Sequence, residues 1–464
     1  MDYNTETLND IARQVASLMQ TAVVKQAEGS QPAKIREVET MMREALRQIG
    51  AEALGQFLSS SVAPSAPTLA CPCGGKLKYQ RRRSAVVLSV FGRVSYERDY
   101  YAGCQCHSGQ APVDEQYGLQ PGKVTAGLAS LLGLAGIEFS FEQSGEWLKS
   151  FLLFEVSENT VREETERLGA LALADDLEQS QQSQDEAYLQ KRMREAVSVP
   201  QRLYGSLDAA KVRIEPRKKA EKQGDYETWR DMKVGCWYEV EKVSPQFYST
   251  REQAKQVREG TVFRAKKIRY YCDIAEASEF GQLMWGQGCL AQADLVPELV
   301  FVGDGAVWIW HLVEQYYPRA VQIVDWYHAE ERLERVAQAA LANSTAREEW
   351  LKDTTSNLWE GRVETVIRAC TLLAPKCVEA KNAVTYFTNN EARMKYDTFR
   401  AAGYMIGSGT VESACKQIVT RRLKCSGAQW LVPGAVKTAK ARAAWLSGGW
   451  ETLSARRDQL PLAV

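Results

Sequence analysis

The chain has 464 residues, 45% of them hydrophobic and 25% charged, with 58 Lys and Arg balancing 58 Asp and Glu. This is the make-up of an ordinary globular protein with a sizeable core and room for two to four domains. The zero net charge argues neither for nor against nucleic acid, no apolar run reaches the length of a membrane span, and the acidic start MDYNTETLND lacks the basic and apolar segments of a signal peptide, so a cytoplasmic protein is expected.

Residues 1–63 read as a helical arm. Leu8, Ile11, Val15, Leu18 and Val23 recur at helical spacing, and after Gly29 and Pro32 a second run follows with Val38, Met41, Ala45 and Ile49. A packing role and a dimerisation role both fit. Pro64, Ser65, Ala66 and Pro67 then read as a linker.

Residues 64–118 form a cysteine-rich β segment. Cys71-Pro-Cys73 and Cys104-Gln-Cys106 flank a hairpin-like stretch. Two close pairs brought together by a hairpin supply four thiolates to one tetrahedral Zn²⁺, whereas cytosolic disulfides are disfavoured. His107 is a substitute ligand, and four free thiols are the alternative. Arg81, Arg82, Arg83, Arg93 and Arg98 interleave with Tyr96, Tyr100 and Tyr101. Such a mixture suits phosphate contact and base stacking, or merely a solvated hairpin face.

Residues 119–175 read as a helix-turn-helix-like domain. Its first helix is expected to bury Trp147, Leu148 and Phe151, and Ser157 to cap the second, which carries Thr160, Val161, Arg162 and Arg167. Glu158, Glu163, Glu164 and Glu166 on that helix oppose phosphate, so DNA reading there stays open. Residues 176–200 are a polar linker helix.

From residue 201 the pattern changes to strands. RLYGSLDAAKVRI, MKVGCWYEV and KKIRYYCDI are followed by the helical EFGQLMWGQGCLAQA, then by the short apolar runs ELVFVGDGAVWIW and AVQIVDWYH. Strands, a helix and further strands imply a mixed α/β core over 201–330. Residues 331–400 read as helical throughout, with Trp350 and Trp359 either in the core or stacking on bases. Residues 401–464 return to the core and end in basic helices.

Asp208, Asp304 and Asp325 stand at or near strand ends, and Glu412 opens a helix after the turn GYMIGSG. Strand ends present charge to a cleft in α/β sheets, and the helix dipole favours an early Glu. Three carboxylates on separate elements can hold two Mg²⁺ or Mn²⁺ ions about 4 Å apart for phosphodiester chemistry. With only His107, His311 and His328, histidine-based catalysis has few candidates. Lys416, Arg421, Arg422, Lys424, Lys437, Lys440 and Arg442 follow Glu412 without further acidic residues, as a phosphate-neutralising surface would.

Together SLDAAKV, VFVGDGAVWIW, VDWYHAEERL and GSGTVESACKQIVTRRLK resemble a DDE insertion-sequence transposase of the Kra type, related to the Mutator-like superfamily, over roughly residues 65–450. The resemblance implies a multidomain α+β protein with an RNase H-like catalytic core, an all-helical insertion before the third carboxylate, and a preceding zinc ribbon. It implies Asp208, Asp304 and Glu412 as catalytic Mg²⁺ (or Mn²⁺) ligands on the first core strand, the fourth core strand and the returning helix. Asp325 and His328 would be an accessory D-x-x-H pair near the fifth strand. Partners would be double-stranded DNA, at terminal inverted repeats and target, and a second copy in a homodimer or larger oligomer, in the prokaryotic nucleoid. Water would free a 3′-OH that then attacks target DNA directly. The alternatives are a catalytically silent, domesticated DNA-binding protein and, more remotely, a glycoside hydrolase with a carboxylate pair.

Overall fold

The computed structural model describes residues 5–27, 34–60, 66–215, 228–243 and 262–458; Gly29, Pro32, Pro64 and Ser65, the expected breaks in the arm and linker, lie outside them. The chain divides into two compact units, one of Met1–Ala135, Phe141–Val161 and Arg457–Val464, the other of Gly136–Ser140 and Arg162–Arg456. No described helix is long and apolar enough to cross a membrane.

In the first unit, α1 (Thr5–Ala27) and α2 (Ile35–Ser60) precede the antiparallel strands β1 (Thr68–Ala70), β2 (Lys76–Ser89) and β3 (Gly92–Ala102). Ser89 pairs with Gly92, so β2 and β3 form a hairpin closed by Val90 and Phe91. Alternation along β3 buries Val94 and Tyr96, which share a core with Leu58 of α2. Ser59 Oγ of α2 accepts from Glu97 N at 3.0 Å, fixing the helix to the strand. The short helix α3 (Pro112–Tyr117) follows, and its Asp114 receives the Tyr96 hydroxyl at 2.6 Å and pairs with Arg98.

The helices α4 (Ala126–Glu138), α5 (Phe141–Leu152) and α6 (Glu158–Gln182) come next. Ser157 Oγ accepts from Thr160 N at 3.2 Å, so it caps α6 as expected. The expected burial on α5 is corrected. Leu148 is buried, but Trp147 is 50% and Phe151 65% exposed, stacked on each other at 5.9 Å. The helix docks through Ser144 and Leu148, one turn apart, because small Ser144 lets the chain approach and donates to Ala135 O at 3.0 Å.

The second unit is built on a mixed five-stranded sheet. β4 (Arg202–Arg213), β5 (Trp229–Val243) and β6 (Val262–Asp273) run antiparallel in sequence order; after α8 (Ala277–Leu290), β7 (Glu298–Gly303) pairs parallel to β4; after α9 (Val307–Tyr316), β8 (Val321–Val324) pairs parallel to β7. The spatial order is β6-β5-β4-β7-β8. The central strands are apolar on both faces: Val300, Phe301 and Val302 on β7 and Cys236, Trp237 and Tyr238 on β5 are fully or almost fully buried. The run GAVWIW after Asp304 is the start of α9, not a continuation of the strand.

The polar stretch after residue 176 is helical, in the end of α6 and in α7 (Glu186–Glu195), and it is tied down. Asp176 accepts from Gln287 at 2.8 Å and from Lys440 at 2.6 Å, and Arg192 pairs with Asp294 at 2.8 Å.

The interval 331–400 is helical as expected, in α10 (Trp326–Ala340), α11 (Ser344–Trp359), α12 (Val363–Leu373), α13 (Val378–Asn390) and α14 (Tyr396–Ala401). Trp350 and Trp359 are partly buried against the core, and Trp359 meets Trp326 edge-on at 4.8 Å. The chain closes with α15 (Gly409–Cys415), which passes through a π turn at Lys416–Thr420 to Leu423, then α16 (Val432–Leu446) and α17 (Trp450–Asp458).

Candidate active site and candidate metal centre

The parallel registers place the aspartates. β4 and β7 pair Gly205 with Phe301, and β7 and β8 pair Gly303 with Val324. Continued by three residues and by one, these registers put Asp208 opposite Asp304 and Asp304 opposite Asp325. Three carboxylates therefore form one row on adjacent strands, Asp304 and Asp325 directly after β7 and β8 and Asp208 within β4, three residues beyond its last pair with β7. Asp325 N donates to Gly303 O at 2.7 Å, which carries the pairing to the end of the row.

Each member has a distinct environment. Asp208 is half-buried; its Oδ1 accepts from Ala209 N at 2.7 Å. Burial pushes this carboxyl up and the charge of Asp304 adds to the rise, while the Ala209 amide and the Cys415 thiol oppose it. Asp304 Oδ1 accepts from Ala306 N at 2.9 Å, and its carbonyl accepts from the Tyr386 hydroxyl on α13 at 2.9 Å. Gly305 holds φ +93°, and a Cβ there would lie 2.5 Å from the Tyr386 ring, so only glycine lets the loop turn beneath that tyrosine. The helical insertion thus braces the strand ends. Tyr396 repeats the device by donating to Val324 O at 3.0 Å.

Asp325 is fully buried. It caps α10: its Oδ1 accepts from His328 N at 2.8 Å and lies 3.1 Å from His328 Nδ1, and its Oδ2 accepts from Ser408 N. Glu412 lies one turn into α15, half-exposed, 4.0 Å from Lys416 Nζ. Ligand atoms of Asp325, His328 and Glu412 all lie within 4.8 Å of one another; among the described residues Asp208 and Asp304 belong to no such group, so the expected set Asp208, Asp304 and Glu412 is not brought together at that distance.

The Asp325 hydrogen bond holds His328 up to about 9, with Asp304 and Glu412 adding to the rise and burial opposing it. The folded value lies above the ordinary histidine 6.5, so the stabilisation is fully present below about 6.5 and is lost as pH rises through about 9. In chelator, the unfolding midpoint of the wild type is expected to fall across that window more steeply than that of His328→Gln. Equal slopes in a pH series of thermal melts would refute it.

The donor set suits a hard divalent cation. Asp208 and Asp304 each commit one oxygen to a backbone amide, and Glu412 adds a carboxylate.

Of the expected DNA-contacting cations, Lys416, Arg421 and Lys424 are exposed, as are Arg81 and Arg82; Arg83 is half-buried with its guanidinium 3.8 Å from the Tyr100 ring centroid. Arg422, Lys440 and Arg442 are corrections. Arg422 is 1% exposed and donates to Gly136 O at 2.6 Å. Arg442 is equally buried, donating to Ile137 O at 2.7 Å and pairing with Glu138 at 2.9 Å. These two arginines satisfy the orphan carbonyls at the end of α4. Lys440 is buried between Asp176 and Asp273, at 2.6 and 3.0 Å. The alanines around them, Ala439, Ala441 and Ala443, were the available signal: a small-residue face packs too closely to be solvated.

In the first unit, the four Sγ atoms of Cys71, Cys73, Cys104 and Cys106 lie within 4.8 Å of one another, with contacts of 3.3–3.4 Å. The antiparallel register, with Lys78 opposite Ala102, brings both pairs to the same end of the hairpin. Around one zinc with Zn–S of about 2.3 Å, tetrahedral sulfurs would stand ~3.8 Å apart, so the cluster is compatible with a structural zinc. A Cβ on Gly75 would lie 2.6 Å from Cys104 Sγ, so glycine is needed there for the two knuckles to meet. His107 stands outside the group.

Sequence reasoning missed Tyr386, Tyr396, Ser408 and Cys415, which act through backbone atoms or buried contacts and carry no motif. No protein-family model matches this chain, and no curated protein matches it.

Proposed function

We propose that this chain is a metal-dependent DNA transposase of the DDE type, similar to the Kra-type enzymes, with an RNase H-like core and a zinc ribbon. The observation that carries the reading is the carboxylate row. Asp208 lies on the first strand of the sheet and Asp304 follows the fourth, on the parallel neighbours β4 and β7, and the charge of Asp304 acts on Asp208. Glu412 returns to them after an all-helical interval. The strand order β6-β5-β4-β7-β8, with its antiparallel half and parallel half, is the one this reading requires.

Asp208, Asp304 and Glu412 would hold two Mg²⁺ or Mn²⁺ ions, which when bound supply Lewis-acid charge to an in-line phosphoryl transfer. The backbone amides of Ala209 and Ala306 fix the two aspartates. Tyr386 fixes the loop between them and α9. The exposed Lys416, Arg421 and Lys424 neutralise backbone phosphates beside Glu412, and Arg81 and Arg82 do so on the hairpin. The reaction is hydrolysis at the element's end to free a 3′-OH, then attack of that hydroxyl on target DNA. Joining two ends calls for at least a homodimer.

The test uses the full chain and labelled duplex carrying the inverted repeats that bracket its gene. Mg²⁺-dependent release of a 3′-OH end is expected, lost in Asp304→Ala. Unaffected cleavage in that variant would sink the site assignment. Salt-dependent DNA binding without cleavage by the wild type would favour a silent DNA-binding protein.

A further inference from the structure

Register makes Asp325 the natural third ligand of the row, since it follows β8 as Asp304 follows β7. Its hydrogen bonds assign it different work. The carboxylate is fully buried and neither oxygen is spare. Oδ1 receives the backbone amide of His328 and lies against the His328 ring; Oδ2 receives the backbone amide of Ser408. Oδ1 already lies against two nitrogens and Oδ2 against one, so a cation on this buried carboxylate would compete with its amide donors, and losing one of them costs about 1–3 kcal/mol.

Ser408 is the point from which Glu412 hangs. Its carbonyl accepts from Val411 N at 2.9 Å and from Glu412 N at 3.3 Å, forming the first turn of α15. A second tie runs alongside, from Trp326 N to Ile406 O at 3.0 Å. Between the ties, a Cβ on Gly407 would lie 3.2 Å from the Tyr327 ring and 3.8 Å from Asp325 Oδ2, so the turn is pressed against the aspartate. One buried carboxylate therefore serves the amino ends of both α10 and α15, where both helix dipoles favour its charge.

We propose that Asp325 is a positioning residue, not a cation ligand: it clamps the Gly407–Ser408–Gly409 turn to the end of β8 and so places Glu412 opposite Asp208 and Asp304. This rests on reading the site as one for divalent cations. The same carboxylate orients His328, so the D-x-x-H pair and the Glu412 turn form one unit. The commitment of Asp325 to three nitrogens opposes a mixed site of Asp325, His328 and Glu412 ligands, which their proximity alone would suggest.

Two variants test the clamp. Asp325→Asn leaves one of the two amide donors without a charged acceptor. Ser408→Pro removes the Ser408 N–H alone and leaves the Asp325 carboxylate in place. In Asp325→Asn, hydrogen exchange of the Ser408 amide should accelerate at least tenfold. In both variants, the Mg²⁺ concentration for half-maximal cleavage should rise at least tenfold, with most of kcat recovered at saturating Mg²⁺. Mn²⁺ binding, counted by electron paramagnetic resonance, should keep the wild-type stoichiometry in both. Loss of one bound Mn²⁺ in Asp325→Asn but not in Ser408→Pro would make Asp325 a ligand and overturn the proposal, as would unaltered Ser408 exchange in Asp325→Asn. A wild type that binds no Mn²⁺ and cuts no DNA would instead defeat the reading of the site, and the exchange measurement would still decide the clamp.

Discussion

Asp304→Asn and Glu412→Gln are each expected to lower Mg²⁺-dependent strand cleavage by roughly a thousandfold or more while leaving the thermal melt near that of the wild type. Removing one carboxylate from a two-ion site forfeits several kcal/mol of transition-state stabilisation. At about 1.4 kcal/mol per decade this is three decades or more in rate. The fold should tolerate both changes. An asparagine carbonyl at 304 can still accept from Ala306 N, and the Tyr386 bond goes to the backbone carbonyl, which the substitution leaves alone. Glu412 is half-exposed and its nearest cation, Lys416, is a surface residue 4.0 Å away, so its loss costs little stability. The double variant should be scarcely slower than either single one, because ligands of one ion pair act as a unit. Single-turnover cleavage alongside thermal unfolding checks both halves. A drop of less than tenfold with an intact melt would remove the residue from the catalytic set.

The strands of the sheet were legible because their apolar runs are short, rich in β-branched and aromatic residues, and bounded by charge. RLYGSLDAAKVRI coincides with β4, whereas ELVFVGDGAVWIW contains β7 in its first six residues and the start of α9 beyond Asp304. What periodicity could not supply was register, and register changes the standing of Asp208. By sequence it is one aspartate in an unremarkable SLDAAKV; in the sheet its strand is the parallel neighbour of the one that Asp304 follows, and the charge of Asp304 acts on it. Asp325 moves the other way. Its strand-end position makes it look like a ligand, yet both its oxygens face backbone amides, a fact of tertiary contact with Ser408, 83 residues away. The errors share one cause. Arg422, Lys440, Arg442, Trp147 and Phe151 were assigned by residue type, polar out and aromatic in. Long cations are buried where helix-end carbonyls or carboxylates await them, and an aromatic pair on α5 stays exposed because small Ser144 sets the docking stripe.

The cysteine cluster yields the largest expected effect on stability. The purified chain should carry one zinc, and stripping it with a strong chelator, or replacing Cys104 with serine, should melt the hairpin end of the first unit. Little else holds that end together. Cys71, Leu77, Tyr101 and Cys104 form its buried cluster, with Leu69 packed against it, so two of the four buried members are the proposed ligands. Without an ion the site combines four sulfurs at contacts of 3.3–3.4 Å, a poor exchange for hydration whether thiol or thiolate. Structural zinc contributes about 10–16 kcal/mol of apparent binding energy in small domains, more than the ~3–6 kcal/mol that burial of Leu77 and Tyr101 supplies. The melting midpoint of the first unit should fall by roughly 10 °C or more. The sheet of the second unit has its own core around Trp237, Phe301 and Tyr317 and should keep its transition. Metal analysis and two-transition calorimetry distinguish the outcomes. A zinc content unchanged in Cys104→Ser would place the metal elsewhere, and a metal-free wild type with an unaltered melt would leave the four thiols as packing groups. Loss of Mg²⁺-dependent cleavage on zinc removal is not required, because Asp208, Asp304 and Glu412 all belong to the second unit. DNA affinity is the property expected to fall, since Arg81 and Arg82 lie on β2, whose first residues pair with β1 and β3 beside the cluster.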